Sequence, residues 1–185
     1  MLIKRLFFIL LSLIALVAAS NAQITSQISP SSTQPHKASL PADLINYFSG
    51  DWTGKGKFIT SGRELESDYS FSPDLGNQIL VVRHKEKPPN DYVYLALWSV
   101  DSISGDLVML VASNHDAGAR LFRSKGWESE KVTFQSVPDL RAPFALERVT
   151  FSRESPTTFR TIYEMSRDDG KTWRGGDQQA FVRKS

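Results

Sequence analysis

Residues 50–71 read GDWTGKGKFITSGRELESDYSF, and this stretch decides the fold. Apolar and polar residues alternate on both sides of Ser61-Gly62, the pattern of two half-buried strands joined by a tight turn. A two-residue turn at Ser61-Gly62 sets Thr60 opposite Arg63, and the ladder then carries Lys57 beside Glu66 and Lys55 beside Asp68 on one face. The other face receives Phe58 with Leu65, Gly56 with Ser67, Gly54 with Tyr69 and Trp52 with Phe71. Charge goes to one side and aromatic bulk to the other. The two glycines on the apolar side let the strand bend inward and leave room for Tyr69.

The same reasoning extends to the next strand. A four-residue turn from Pro73 to Gly76 pairs Ser72 with Asn77, which brings Glu66 beside Arg83 and Glu64 beside Lys85. His84 then points inward, on the face shared by Phe58, Leu65, Leu80 and Val82, and a slip of one residue would turn it out. Further along, a three-residue loop from Glu154 to Pro156 sets Phe151 with Phe159, Val149 with Thr161 and Glu147 with Tyr163 on the inner face.

Turn signals recur at Pro88-Pro89-Asn90-Asp91, Ser104-Gly105, Asp116-Ala117-Gly118 and Asp168-Asp169-Gly170, with alternating segments between them. The expected fold is all-β: an antiparallel up-and-down meander of about ten strands, closed so that no edge is left unpaired. One short helix precedes it over Pro41 to Phe48, where Leu44 meets Tyr47 and Phe48 three and four positions on.

The chain has 185 residues, 22 Lys and Arg against 20 Asp and Glu, and no Cys. Residues 1–22 combine Lys4 and Arg5, an apolar run from Leu6 to Ala19 interrupted by Ser12, and a small-residue end, the layout of a signal peptide. The run is shorter than the roughly 20 residues of a membrane-crossing helix, so the expectation is cleavage and no membrane span after processing. The remaining 163 residues carry 20 charges of each sign. Zero net charge gives nucleic acid no electrostatic footprint, so no nucleic-acid partner is expected. Without cysteine there is no disulfide, thiolate nucleophile or thiolate metal site. Residues 23–41, rich in Ser, Thr, Gln and Pro, read as a flexible linker, and 42–185 as one barrel domain.

Ser166-Arg167-Asp168-Asp169-Gly170-Lys171-Thr172-Trp173 resembles an Asp-box, the S-x-D-x-G-x-T-W hairpin of sialidases and other β-propellers. Its mechanical reading is a bulged turn with Gly170 left-handed, Asp168 accepting backbone N–H bonds, Met165 facing Trp173 and Glu164 facing Arg174. A propeller needs roughly 40 residues per blade, too many for this chain, so the box is read as structural. Gly50-Asp51-Trp52 after a short helix resembles the G-x-W opening of lipocalins and related calycin barrels. In that group a basic side chain from the last strand covers the Trp, and Arg183 is the matching position. Helix, Gly50-Asp51-Trp52-Thr53-Gly54-Lys55-Gly56 segment, meander and terminal Arg together resemble the bacterial lipocalin-like domains of unknown function, distantly similar to fatty-acid-binding proteins and nitrobindin. The resemblance spans residues 42–185. Nitrobindin-like proteins ligate haem through a late His; here the last His is His115, so the resemblance implies no haem, and no cofactor is expected.

The expected function is an exported, periplasmic or secreted protein holding a small, mainly apolar or amphipathic molecule in its barrel. His84 and Tyr69 are the polar anchors, and Phe58, Leu65, Val82, Glu147 and Tyr163 complete the ligand-binding set. Two alternatives stand beside it. One is a cavity enzyme, an isomerase, cyclase or hydrolase, using His84 with Glu147 or Tyr163 as an acid–base set. The other is an envelope interaction module with a filled barrel that meets another envelope protein or a glycan. His36 falls in the linker and His115 at a turn, and no metal site is expected. Trp98, Trp127, Phe134, Phe144 and Phe159 are read first as core.

Overall fold

The computed structural model describes residues 39–116, 118–138 and 145–185. The signal-peptide reading, most of the linker, His36 and Phe144 lie outside the described residues. The helix α1 (Ala42–Phe48) is followed by ten strands: β1 (Gly50–Phe58), β2 (Glu64–Asp74), β3 (Ile79–Glu86), β4 (Val93–Val100) and β5 (Leu107–Ser113), then β6 (Arg120–Ser124), β7 (Lys131–Ser136), β8 (Leu146–Ser155), β9 (Thr158–Ser166) and β10 (Arg174–Arg183). Each strand pairs antiparallel with its sequence neighbour, and β10 closes on β1. The expected all-β closed meander with one short helix is the fold.

The helix plugs one end of the barrel. Leu44, Ile45, Tyr47 and Phe48 are buried, and Leu40, which the sequence placed in the linker, is buried with them. Ser49 ends the helix, its hydroxyl donating to the Ile45 carbonyl at 2.6 Å. Below the helix lies an aromatic floor. Trp52 is fully buried, and its Nε1 donates to the Phe48 carbonyl at 2.7 Å. Arg183, directly opposite Trp52 in the ladder, lays its guanidinium over the indole at 4.1 Å. Its two terminal nitrogens donate to the carbonyls of Tyr47 and Ser49. The planar fork thus satisfies carbonyls at the helix C-terminus that have no partner within the helix.

The half of the barrel next to the helix is solid. Phe71, Trp98, Phe134, Phe151, Phe159 and Phe181 are almost wholly buried, and Phe159 stacks on Phe181 with centroids 4.7 Å apart. The room left by the glycines serves β10 rather than Tyr69. A Cβ at Gly54 would lie 2.3 Å from the Phe181 ring, and one at Gly56 would lie 1.9 Å from the Gln178 carbonyl oxygen.

The expected faces hold while the expected partners move. Observed pairs are Lys55 with Glu66, Lys57 with Glu64, Gly54 with Ser67 and Trp52 with Tyr69, two positions from the expected ladder. The loop has four residues: Phe58 N–H donates to the Arg63 carbonyl, Gly62 N–H donates to the Phe58 carbonyl, and Ile59 N–H reaches Gly176 of β10. Gly62, with φ +68, takes the left-handed position that such a loop requires. In the next hairpin β2 runs on through Pro73 and Asp74, so Asp68 faces Lys85 and Tyr69 faces His84. At β8–β9 a two-residue loop plus a bulge near Arg153 pairs Phe151 with Thr161, Val149 with Tyr163 and Glu147 with Met165. All three shifts are even, and an even shift keeps every side chain on its face.

Charge lines the outside of β1–β3, where Lys55 meets Glu66 at 2.8 Å. The outer wall of β4–β6 departs from that pattern, since Val93, Leu95, Leu110 and Leu121 are exposed there.

The Asp-box-like hairpin is a turn staple. Asp168 accepts from Thr172 N–H at 2.9 Å and from Thr172 Oγ1 at 2.6 Å, Ser166 Oγ accepts from Gly170 N–H at 2.8 Å, and Gly170 has φ +80. Its register is one residue from the expected one, Met165 facing Arg174 and Glu164 facing Gly175. Trp173 therefore lies in the loop, under the Arg148 guanidinium at 4.1 Å. The hydrogen bonds from Thr172 hold the Asp168 carboxyl down to about 2. Asp168→Ala is expected to lower the thermal midpoint modestly at neutral pH. The difference from wild type should vanish on acidification through the carboxylate range, since the bonds need the ionised form; parallel melts at acid and neutral pH check this.

Candidate functional site

The half of the barrel away from the helix is hollow, with a cavity of about 540 Å³ open at the rim. It forms because inward positions change character along the strands. On β3 the inward series is Leu80, Val82, His84 and Glu86, apolar toward the helix and polar toward the rim. On β2 it is Leu65, Ser67, Tyr69 and Phe71. The solid half ends at a stack in which Phe71 lies on Tyr69, centroids 5.2 Å apart, and Tyr69 lies on His84 at 4.5 Å.

Of the residues picked from sequence, His84, Tyr69, Phe58, Glu147 and Tyr163 line the cavity. Leu65 and Val82 are buried and face inward but do not line it; Val82 belongs to the packed core. Tyr69 shares a hydrogen bond with Tyr94, the phenol oxygens 2.7 Å apart, and burial pushes both phenols up. Glu147 pairs with Arg120 at 2.7 Å. Tyr163 stands next to Glu147, and burial together with that carboxylate raises its phenol.

His84 is 4% exposed, and neither ring nitrogen has a hydrogen-bond partner among the described residues. Burial drives its pKa down to about 3, so the ring is neutral at physiological pH, with one nitrogen a donor and the other an acceptor. The structure therefore brings Glu147 to Tyr163 and ties it to Arg120, but joins neither to His84. An imidazole so hard to protonate is poorly matched to proton transfer near neutrality.

Sequence reasoning missed Tyr92, Tyr94, Glu86 and Asp177, which also line the cavity. Glu86 was within reach: it follows His84 by two, so the alternation that turns His84 inward turns Glu86 inward too. Tyr92 and Tyr94 alternate just after the Pro88-Pro89 turn. Asp177 was hidden because β10 carries a bulge between Gly175 and Asp177, which no spacing reveals. Burial raises Glu86 to about 7, with the Asp177 charge adding to it, and burial raises Asp177 to about 6.

Among the described residues no group of three or more His, Cys, Asp or Glu is arranged to hold a metal, and no helix is long and apolar enough to cross a membrane.

No protein-family model matches the chain, and no curated protein matches it. Among solved structures, a de novo designed fluorescence-activating β-barrel is similar at TM-score 0.43 and 13% identity, over 78% of this chain and 100% of that one. A protein of unknown function of the DUF3598 family from Nostoc punctiforme is similar at TM-score 0.47 and 9% identity, over 76% of this chain and 49% of that one. A redesigned β-barrel, mFAP1, bound to DFHBI, is similar at TM-score 0.37 and 13% identity, over 76% of this chain and 97% of that one. At this level of similarity nothing about ligand or activity carries over to the chain.

Proposed function

We propose that the protein is an exported binding protein that holds a small aromatic or amphipathic molecule in the open half of its barrel. The observation that carries this reading is His84, an imidazole removed from water, unpartnered at both nitrogens and set in the wall of a cavity large enough for a small organic ligand. A buried polar group left without a partner costs roughly 1–3 kcal/mol, which a ligand hydrogen bond would offset. Tyr69, Phe58, Glu147 and Tyr163 supply the surrounding walls. Arg183 over Trp52 supports placing the barrel among lipocalin-like domains, and residues 1–22 support export to the periplasm or the medium.

The test uses 1-naphthylmethanol, a neutral aromatic with one hydroxyl, titrated against intrinsic fluorescence. His84→Leu keeps the volume and removes both nitrogens. It is expected to weaken binding about tenfold, one lost hydrogen bond, with an unchanged circular dichroism spectrum. Failure of neutral and charged naphthyl probes alike to bind, or equal affinity in the variant, would overturn the reading.

A further inference from the structure

Five carboxyl side chains line the cavity: Glu86, Asp91, Asp116, Glu147 and Asp177. Three are engaged. Glu147 has Arg120, Asp91 has His115 at 3.0 Å, and Asp116 accepts from Ser113 Oγ at 2.7 Å. Glu86 and Asp177 have no cation partner among the described residues; burial raises both, the Asp177 charge adds to the rise at Glu86, and a hydrogen bond from Gln179 offsets part of the rise at Asp177. Arg63 faces Glu86 but is exposed and lies over the Phe58 ring at 4.8 Å. Net negative charge is thus concentrated in the hollow.

The walls around that charge are aromatic. Phe58 lies opposite Asp177 on β1 and Tyr163 opposite it on β9. Tyr92, Tyr94 and His84 form a second cluster, with Tyr92 and Tyr94 centroids 5.9 Å apart and His84 4.9 Å from Tyr94. Ring faces carry partial negative charge, so aromatic walls and carboxylates attract the same kind of group. His84, almost wholly buried among the lining residues and without a partner at either nitrogen, is a second observation, separate from the acids, in favour of an occupant that carries a polar atom.

We propose that the cavity selects ligands carrying a cationic amine on an aromatic or apolar body, the amine seated between Glu86 and Asp177 and the body stacked among the tyrosines toward His84. The inference rests on the cavity-binding reading and names its ligand class. A bound cation would supply the partner that the two carboxyls lack, and it would hold both ionised at neutral pH. Selection follows from charge: an anion of the same shape would meet two carboxylates in a partly desolvated site.

Three probes that share one naphthylmethyl body test it: 1-naphthylmethylammonium, 1-naphthylmethanol and 1-naphthylacetate, titrated by calorimetry. At about pH 8 the ammonium is expected to bind about tenfold more tightly than the alcohol, and the acetate more weakly than either. At about pH 5, with Glu86 and Asp177 protonated, the ratio of ammonium to alcohol affinity should fall toward one. Asp91, Asp116, Glu147, Arg63, Arg120 and His115 also face the hollow. The paired variant Glu86→Gln, Asp177→Asn therefore identifies the source, and should lose the ratio at about pH 8. Equal affinity for ammonium and alcohol, or a ratio that survives the double substitution, overturns the amine inference while leaving the cavity reading in place. If none of the three probes binds, both fall.

Discussion

Replacing Trp52 by alanine is expected to cost about 4 kcal/mol of stability, which at roughly 3 °C per kcal/mol for a domain of this size lowers the melting temperature by about 12 °C. Three losses coincide at that residue. The indole is fully buried and meets Phe159 edge-on at 4.8 Å, so its removal leaves a hole beneath the helix. Its Nε1 serves the Phe48 carbonyl, which would be left buried without that donor. Arg183 would lose the ring face against which its guanidinium is held, and with it the geometry for donating to Tyr47 and Ser49. Trp52→Phe retains a ring and loses the N–H, and should cost about half as much. Arg183→Lys keeps the charge but loses the planar fork, and should fall between wild type and Trp52→Ala. Because both residues act on one helix end, the double variant Trp52→Ala, Arg183→Ala should lose less than the sum of the single changes. Denaturant titrations of wild type, Trp52→Ala, Trp52→Phe, Arg183→Lys, Arg183→Ala and the double variant give the comparison; a Trp52→Ala barrel within about 1 kcal/mol of wild type would show that the helix is held by other contacts.

The second large effect has the opposite sign. Glu86 and Asp177 have pKa values raised to about 7 and about 6 in the folded protein. A carboxyl with a raised folded value favours the protonated native state, so its contribution is fully present below the unfolded value near pH 4. That contribution is lost as pH rises through the folded values. Taken at full value the shift of Asp177 alone corresponds to about 3 kcal/mol, but both acids border an open hollow, and solvent screening brings the pair together to about 2–3 kcal/mol. His84 works in the other direction. Its folded value, lowered to about 3, gives stability that is present above about pH 6.5 and lost as pH falls toward 3. The two slopes oppose each other across the mildly acidic range and flatten the wild-type profile there. Glu86→Gln with Asp177→Asn is therefore expected to be about 2–3 kcal/mol more stable than wild type at about pH 8, with the advantage gone by about pH 4. Denaturant midpoints at several pH values measure it. A variant no more stable than wild type at alkaline pH would mean that the acids already have partners in the free protein. Stability gained at the expense of amine selection is the trade expected where charges are kept for a ligand.

These two effects differ in how visible they were beforehand. The Trp52–Arg183 contact was legible, because a Trp heading the first strand and an Arg ending the last become neighbours once a meander closes. The acid pair was not. Glu86 could have been reached by carrying the alternation one step past His84, but Asp177 depends on a bulge in β10, and its proximity to Glu86 exists only because strands distant in sequence curl to face one hollow. The Asp-box-like turn was readable as a hydrogen-bonding pattern, and it missed its flanking register by one residue.

By itself the sequence determined which face each side chain takes on β1–β3, β8 and β9. Strand side chains alternate with period two, so His84, Tyr69 and Glu147 stay inside whether a hairpin slips by two residues or by four. Only the tertiary structure decided how far along the barrel each inward residue lies. That level depends on loop lengths and bulges, such as the bond from Ile59 to Gly176 that lengthens the first hairpin loop. It separates Val82, packed in the aromatic half, from His84, one inward step further on at the cavity wall, since burial against a neighbour or against empty space is settled by what the other strands deliver to the same height.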